Sequence, residues 1–205
     1  MQQQAHAAIL RAAPAQDQHH FQITTDGSGT DADKRAIGSA WVLRSLALGV
    51  NQKPLHMRGA SGGTHGSIQR AELNALLDGL TVLSHTLGLF TVSDLAKFCG
   101  RPVTRVEEFP PEARPLVWWV GDRETIILQM GRKPDGSTYY KRNTEPDLWY
   151  RMAWFESIFT ITPVHVGRNT TADQTDVDGC AGAVRGLFKE IISQHDKCLN
   201  SESSH

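Results

Sequence analysis

Three carboxylates stand where a carboxylate is costly. Asp26 follows a strand-like alternation of Phe21, Ile23 and Thr25, and Asp122 closes the most apolar run of the chain, Leu116 to Val120. Glu72 lies in a helical pattern whose next residues on the same face are Ala75, Leu76 and Gly79, small or apolar rather than charged. Carboxylates in such surroundings are expensive unless a cation or a metal pairs with them. Brought together from a strand, a helix and a second strand, they would make an all-oxygen site suited to Mg²⁺ or Mn²⁺. Each acid has a plainer role when taken alone. Asp122 can cap a following helix, Glu72 can be half of a surface ion pair, and Asp26-Gly27-Ser28-Gly29 can be an ordinary turn. The joint pattern is what argues for chemistry.

The elements that must position these acids are legible from periodicity. A first strand runs from Phe21 to Thr25, a second from Ala36 to Leu43, and a third lies near Pro54 to Ala60, with Gly59, Gly62, Gly63 and Gly66 marking a loop after it. Leu73, Leu76, Leu77, Leu80 and Leu83 recur at helical spacing and predict a helix over Arg70 to Leu83. Leu116 to Val120 reads as a strand buried on both faces, followed by a helix over Arg123 to Met130. A helix over Asp147 to Ser157 and a strand over Phe159 to Val166 come next. The last helix shows a core face of Val177, Ala181, Val184, Phe188 and Ile191. Three consecutive strands followed by alternating helices and strands predict an α/β mixed sheet covered by helices.

Composition sets the remaining bounds. The 205 residues are 40% hydrophobic and 21% charged, enough for one sizeable core. Residues 1–20 read as a flexible tail, 21–197 as the domain with an insertion at 84–114, and 198–205 as a C-terminal tail. No run of about 20 apolar residues and no signal-peptide pattern is present, so a cytoplasmic protein without membrane contact is expected. Cys99, Cys180 and Cys198 suggest neither a disulfide framework nor a zinc site. A formal net charge of −1 gives no general argument for nucleic-acid binding, so any such case rests on local residues.

Taken in order, the segments resemble type-1 ribonuclease H. The resemblance rests on Thr25-Asp26-Gly27-Ser28-Gly29, Arg70-Ala71-Glu72-Leu73, Val120-Gly121-Asp122, Asp147-Leu148-Trp149-Tyr150-Arg151, and the strand Thr162-Pro163-Val164-His165 leading to an acid-bearing helix. It implies the ribonuclease H-like fold, with a five-stranded mixed sheet of three antiparallel and two parallel strands flanked by helices. It also implies hydrolysis of the RNA strand of RNA·DNA hybrids, by a monomer, with two Mg²⁺ ions (Mn²⁺ possible) held by carboxylates. His165 would then sit on a flexible loop and assist proton transfer or product release. By position, Ser28, Ser67, Gln69 and Arg70 would contact the nucleic acid, the first three near the RNA 2′-hydroxyl and minor groove.

Two departures bear on function. The family's fourth acid lies about ten residues after the histidine, whereas Asp173, Asp176 and Asp178 are the candidates here. Asp178 is favoured, because Thr171-Ala172-Asp173-Gln174 has the form of a capping box and Asp178-Gly179-Cys180-Ala181 matches the family's D-x-x-A. Asp173 is the rival, since Asn169 to Asp173 fits an N-x-x-A-D form. The basic helix of some members is also absent. Arg132, Lys133, Lys141 and Arg142 around Tyr139 and Tyr140 offer a phosphate-contacting patch or a solvated loop. Alternative readings are a related nuclease with another nucleic-acid substrate, or a binding module without turnover.

Overall fold

The computed structural model describes residues 20–30, 35–46, 54–89, 114–130 and 144–202. In chain order the elements are β1 (His20–Ser28), β2 (Ala36–Ser45), β3 (His56–Thr64), α1 (Ile68–Thr86), β4 (Leu116–Gly121), α2 (Glu124–Met130), α3 (Pro146–Ile158), β5 (Thr160–His165) and α4 (Ala172–Glu202). They form one five-stranded sheet in the order β3-β2-β1-β4-β5. β1, β2 and β3 pair antiparallel, while β4 pairs parallel with both β1 and β5. This is the mixed sheet expected, with the ribonuclease H-like strand arrangement.

Alternation along β1 divides the two layers. Phe21 and Ile23 point to the face where Trp41, Leu43, Val117 and Trp119 meet α1, α2 and α3. The leucines read as the core face of α1 (Leu73, Leu76, Leu77, Leu80 and Leu83) are all fully buried there. Each contributes roughly 1.5–3 kcal/mol of burial. Trp119 also donates its indole N–H to Thr25 Oγ1 at 2.8 Å, which satisfies the one polar atom that its burial would otherwise orphan. On the opposite face Ala40 and Val42 pack against Val177 and Ala181 of α4.

Several expectations are corrected. Gly59, Gly62 and Gly63 lie inside β3 rather than in a loop. The strand carries glycines because neighbours come too close for a side chain: a Cβ at Gly62 would lie 2.4 Å from the Phe188 ring, and one at Gly59 would lie 2.6 Å from Trp41. β1 continues through Asp26 to Ser28, so Asp26 is a strand residue and not the start of a turn. Ile191 is 57% exposed, since the core face of α4 ends near Phe188. α4 runs on to Glu202, beyond the expected boundary at 197, and β1 takes in His20. α1 extends to Thr86, inside the expected insertion. Residues 1–19, Cys99, the remainder of the insertion from 90 to 113, and Arg132, Lys133, Tyr139, Tyr140, Lys141 and Arg142 lie outside the described residues. No described helix is long and apolar enough to cross a membrane.

Candidate active site

Strand register brings the first two acids together. Thr24 pairs with Val120 in the parallel β1–β4 ladder, and two residues further along each chain come Asp26 and Asp122. Glu72 reaches them from the second turn of α1, which lies so close to β1 that a Cβ on Gly27 would sit 2.5 Å from the Glu72 backbone nitrogen. Glycine at position 27 is therefore what allows the helix to deliver its acid to the strand end. One carboxylate oxygen from each of Asp26, Glu72 and Asp122 lies within 4.8 Å of the others. Asp26 and Glu72 are buried, and Asp122 is half-buried.

Such a cluster is electrostatically unfavourable by itself. Burial, then the charges of Asp122 and Asp178, push Asp26 up from 3.8 to about 6. Burial pushes Glu72 well above its ordinary range, with further contributions from Asp26 and Asp122. A divalent cation would relieve both causes, because it neutralises the charge and replaces lost hydration. An oxygen-only donor set of this kind suits a hard cation, so the residues present fit a metal such as Mg²⁺ or Mn²⁺.

The acids open on a cleft of about 370 Å³, also lined by Ser28, Arg123, Arg168, Asp178 and Arg185. Of the three candidates for a fourth acid, Asp178 is the one in this lining. Thr171 Oγ1 accepts from Gln174 N at 3.0 Å, so α4 begins at the cap read from the sequence. The reciprocal arm is missing, because the Gln174 side chain is directed at the Thr25 carbonyl. Asp173 instead accepts two hydrogen bonds from Arg44 on β2, at 2.6 and 2.5 Å. Asp176 faces Arg58 at 3.4 Å. Asp178 is bonded to Arg168 at 2.8 Å and stands outside the cluster of three.

His165 is the last residue of β5, paired with Gly121, rather than a loop residue. Its ring is exposed, and Nε2 lies 3.0 Å from the Asp122 carbonyl oxygen. A carbonyl only accepts, so Nε2 is the donor in this contact and Nδ1 is left outside it.

Three of the expected nucleic-acid contacts are engaged within the protein. Ser67 caps α1 by accepting from Arg70 N at 3.0 Å and donates to Glu145 Oε1 at 2.6 Å. Gln69 donates to Thr144 at 2.5 Å. Arg70 bonds Glu145 at 2.5 Å and also Asp147. Glu145 holds a left-handed backbone (φ 55°) just before α3. Ser28 is the member of the expected set that lines the cleft. Arg123, Arg168 and Arg185, by contrast, were not singled out in the sequence. Arg123 is adjacent to Asp122, and that adjacency was the available signal for it.

No protein-family model and no curated protein sequence matches the chain. Solved structures do. The chain is similar to LC11-RNase H1 in complex with an RNA/DNA hybrid, with TM-score 0.51, 18% identity and coverage of 82% of this chain and 97% of that one. It is similar to the N-terminal RNase H domain of rv2228c from Mycobacterium tuberculosis, solved as a fusion with maltose binding protein, with TM-score 0.54, 16% identity and coverage of 85% and 99%. LC9-RNase H1, a type 1 RNase H with the type 2 active-site motif, gives TM-score 0.57 at 12% identity, covering 85% and 76%. In fold, the chain resembles type-1 ribonuclease H and has the ribonuclease H-like architecture.

Proposed function

We propose that the chain is a divalent-metal-dependent endoribonuclease that hydrolyses the RNA strand of RNA·DNA hybrids and leaves 5′-phosphomonoesters. The observation that carries this reading is the convergence of Asp26, Glu72 and Asp122 within 4.8 Å at the open end of the sheet. These three, joined by Asp178, would hold two Mg²⁺ or Mn²⁺ ions. Bound there, the ions would supply a nucleophilic water and would stabilise the leaving 3′ oxygen. Burial and mutual repulsion make Asp26 and Glu72 hold protons more tightly than free carboxyls do, and a bound cation opposes both causes, so metal uptake is coupled to proton release at any pH where these carboxyls are still protonated. His165, anchored through Nε2 to the Asp122 carbonyl, offers Nδ1 as a proton acceptor beside the cluster. Arg123 and Arg185 on the cleft wall favour a phosphate backbone and exclude no base sequence. LC11-RNase H1, whose fold this chain shares, was solved with an RNA/DNA hybrid.

A second reading, a nuclease for another duplex, is favoured by one observation. Ser67, Gln69 and Arg70 spend polar atoms on Thr144, Glu145 and Asp147, so they meet a minor groove only after those contacts open. Labelled RNA·DNA, RNA·RNA and DNA·DNA duplexes, incubated with Mg²⁺, with Mn²⁺ and with chelator, separate the two. The expected result is cleavage of the RNA strand of the hybrid alone, abolished by chelator. Preferential cutting of RNA·RNA would support the second reading, and activity that survives exhaustive chelation or prefers duplex DNA would sink the metal-dependent hybrid assignment.

A further inference from the structure

We propose that Arg168 is a latch on the fourth carboxylate: its guanidinium holds Asp178 outside the cluster of Asp26, Glu72 and Asp122, and a divalent cation must displace it before Asp178 completes the site. The inference rests on the reading that the cleft binds divalent metal.

Arg168 and Asp178 line the same cleft as the three clustered acids. The guanidinium donates from Nη2 to Asp178 Oδ1 at 2.8 Å, while Asp178 is absent from the group whose oxygens lie within 4.8 Å of one another. The turn that feeds α4 fixes where the arginine starts. Asn169 adopts a left-handed backbone (φ 53°), and Thr170 bonds back to the Gly167 carbonyl through both its backbone N–H (3.3 Å) and its hydroxyl (2.7 Å). Arg168 is thereby presented at the mouth of the cleft, ten residues before the acid it holds. Its positive charge and the negative charge of Asp178 act in opposite senses on Asp26. The guanidinium thus stands where a cation is needed, but it offers no open coordination position.

The pair is also built to open. The Arg168 side chain is 72% exposed and that of Asp178 is 31% exposed. Ion pairs at such exposure are individually weak, and the solvent that weakens them gives the released arginine an immediate alternative. A doubly charged ion bound among several carboxylates competes with one exposed guanidinium on favourable terms. Among the described residues no such counter-ion is bonded to Glu72, so the α4 acid is the adjustable member of the set.

The test is isothermal titration of Mn²⁺ into the full chain without nucleic acid, comparing wild type, Arg168→Ala, Asp178→Asn and the double variant. Arg168→Ala is expected to tighten Mn²⁺ binding by about two- to fivefold, the scale of an exposed ion pair. In the Asp178→Asn background the same change should give less than half that gain, since no carboxylate remains to be freed. An equal or larger gain in that background would reduce Arg168 to a general repulsive charge and overturn the latch. Weaker binding in Arg168→Ala would overturn it too, and would make the arginine a support for the acid. If none of the four proteins binds Mn²⁺, the metal-dependent reading fails and the latch with it, whereas equal, measurable affinities refute the latch alone.

Discussion

The two helices that deliver acids to the cleft do so by different physical means. α1 and α4 both start behind a hydroxyl cap, Ser67 for one and Thr171 for the other, and both carry a candidate acid in their first two turns. Glu72 on α1 is 3% exposed and is placed by close packing, with Gly27 of β1 against the helix backbone. Asp178 on α4 is partly exposed and is placed by an ion pair with Arg168. Packing fixes an atom to within tenths of an ångström, because displacing it disturbs a dense interior. An exposed ion pair fixes it only until a better partner arrives. The α1 side is accordingly the rigid wall of the site and the α4 side is the one that can respond to a ligand.

The largest effects should fall on the rigid wall. Glu72→Gln and Asp122→Asn are each expected to lower the hydrolysis rate by more than about a hundredfold, the scale of losing one carboxylate at a metal site. Melting temperature in chelator should stay level or rise, because each change removes one of several crowded negative charges. Rate assays and thermal melts on the same preparations check both parts. A clear fall in melting temperature for Asp122→Asn would make that residue a structural cap of α2 and break the comparison.

The same crowding gives a pH signature. Asp26 is raised from 3.8 to about 6 in the folded chain, so the folded state holds its proton more tightly than the unfolded one. Its contribution to stability is therefore fully present below about pH 4 and is lost as pH rises through about 6. The displacement is worth at most about 3 kcal/mol. Water in the open cleft reduces this to about 1–2 kcal/mol. Urea unfolding between pH 4 and 7 in chelator should show wild type losing that much relative to Asp26→Asn, and saturating Mg²⁺ should restore it. Parallel pH profiles for the two proteins would show that Asp26 carries no such burden.

The contrast between the two walls also governs what the sequence could reveal. Leucine spacing identified α1 and its buried face, and the apolar run before Asp122 identified β4, because in both the requirement is local and periodic. The three clustered acids were visible for the same reason, as charges that interrupt an apolar pattern. Contacts closed by distant residues were not visible. Nothing near Ser67, Gln69 or Arg70 announces that Thr144, Glu145 and Asp147, some 75 residues away, will engage them. Gly59 and Gly62 looked like loop residues because the rings of Trp41 and Phe188 that exclude a side chain there come from other elements. Arg168 is an isolated arginine in the sequence and acquires meaning only beside Asp178.

The smallest expected effect belongs to Asp173, one of two acids five residues apart on α4. Asp173 accepts two hydrogen bonds from Arg44, and its side chain is only 14% exposed, so it ties the first turn of the helix to β2. It also sits at the positive end of the helix dipole. Asp173→Asn should cost about 1 kcal/mol, because a charge-assisted pair is lost while Arg44 remains partly solvated. For a domain of this size that is a fall of about 2–4 °C in melting temperature, with most of the hydrolysis rate retained. Among the described residues Asp178 is bonded to an exposed arginine, Arg168, and not to the sheet. Asp178→Asn should leave the melting temperature nearly unchanged and lower the rate severely, since the proposed fourth metal ligand is gone. Melting curves and rates for the two variants, measured side by side in Mg²⁺, set the signatures against each other. The reverse pattern would move the fourth carboxylate to Asp173. Arg44 would then be the residue that masks it, and the adjustable wall of the cleft would lie one turn nearer the start of the helix.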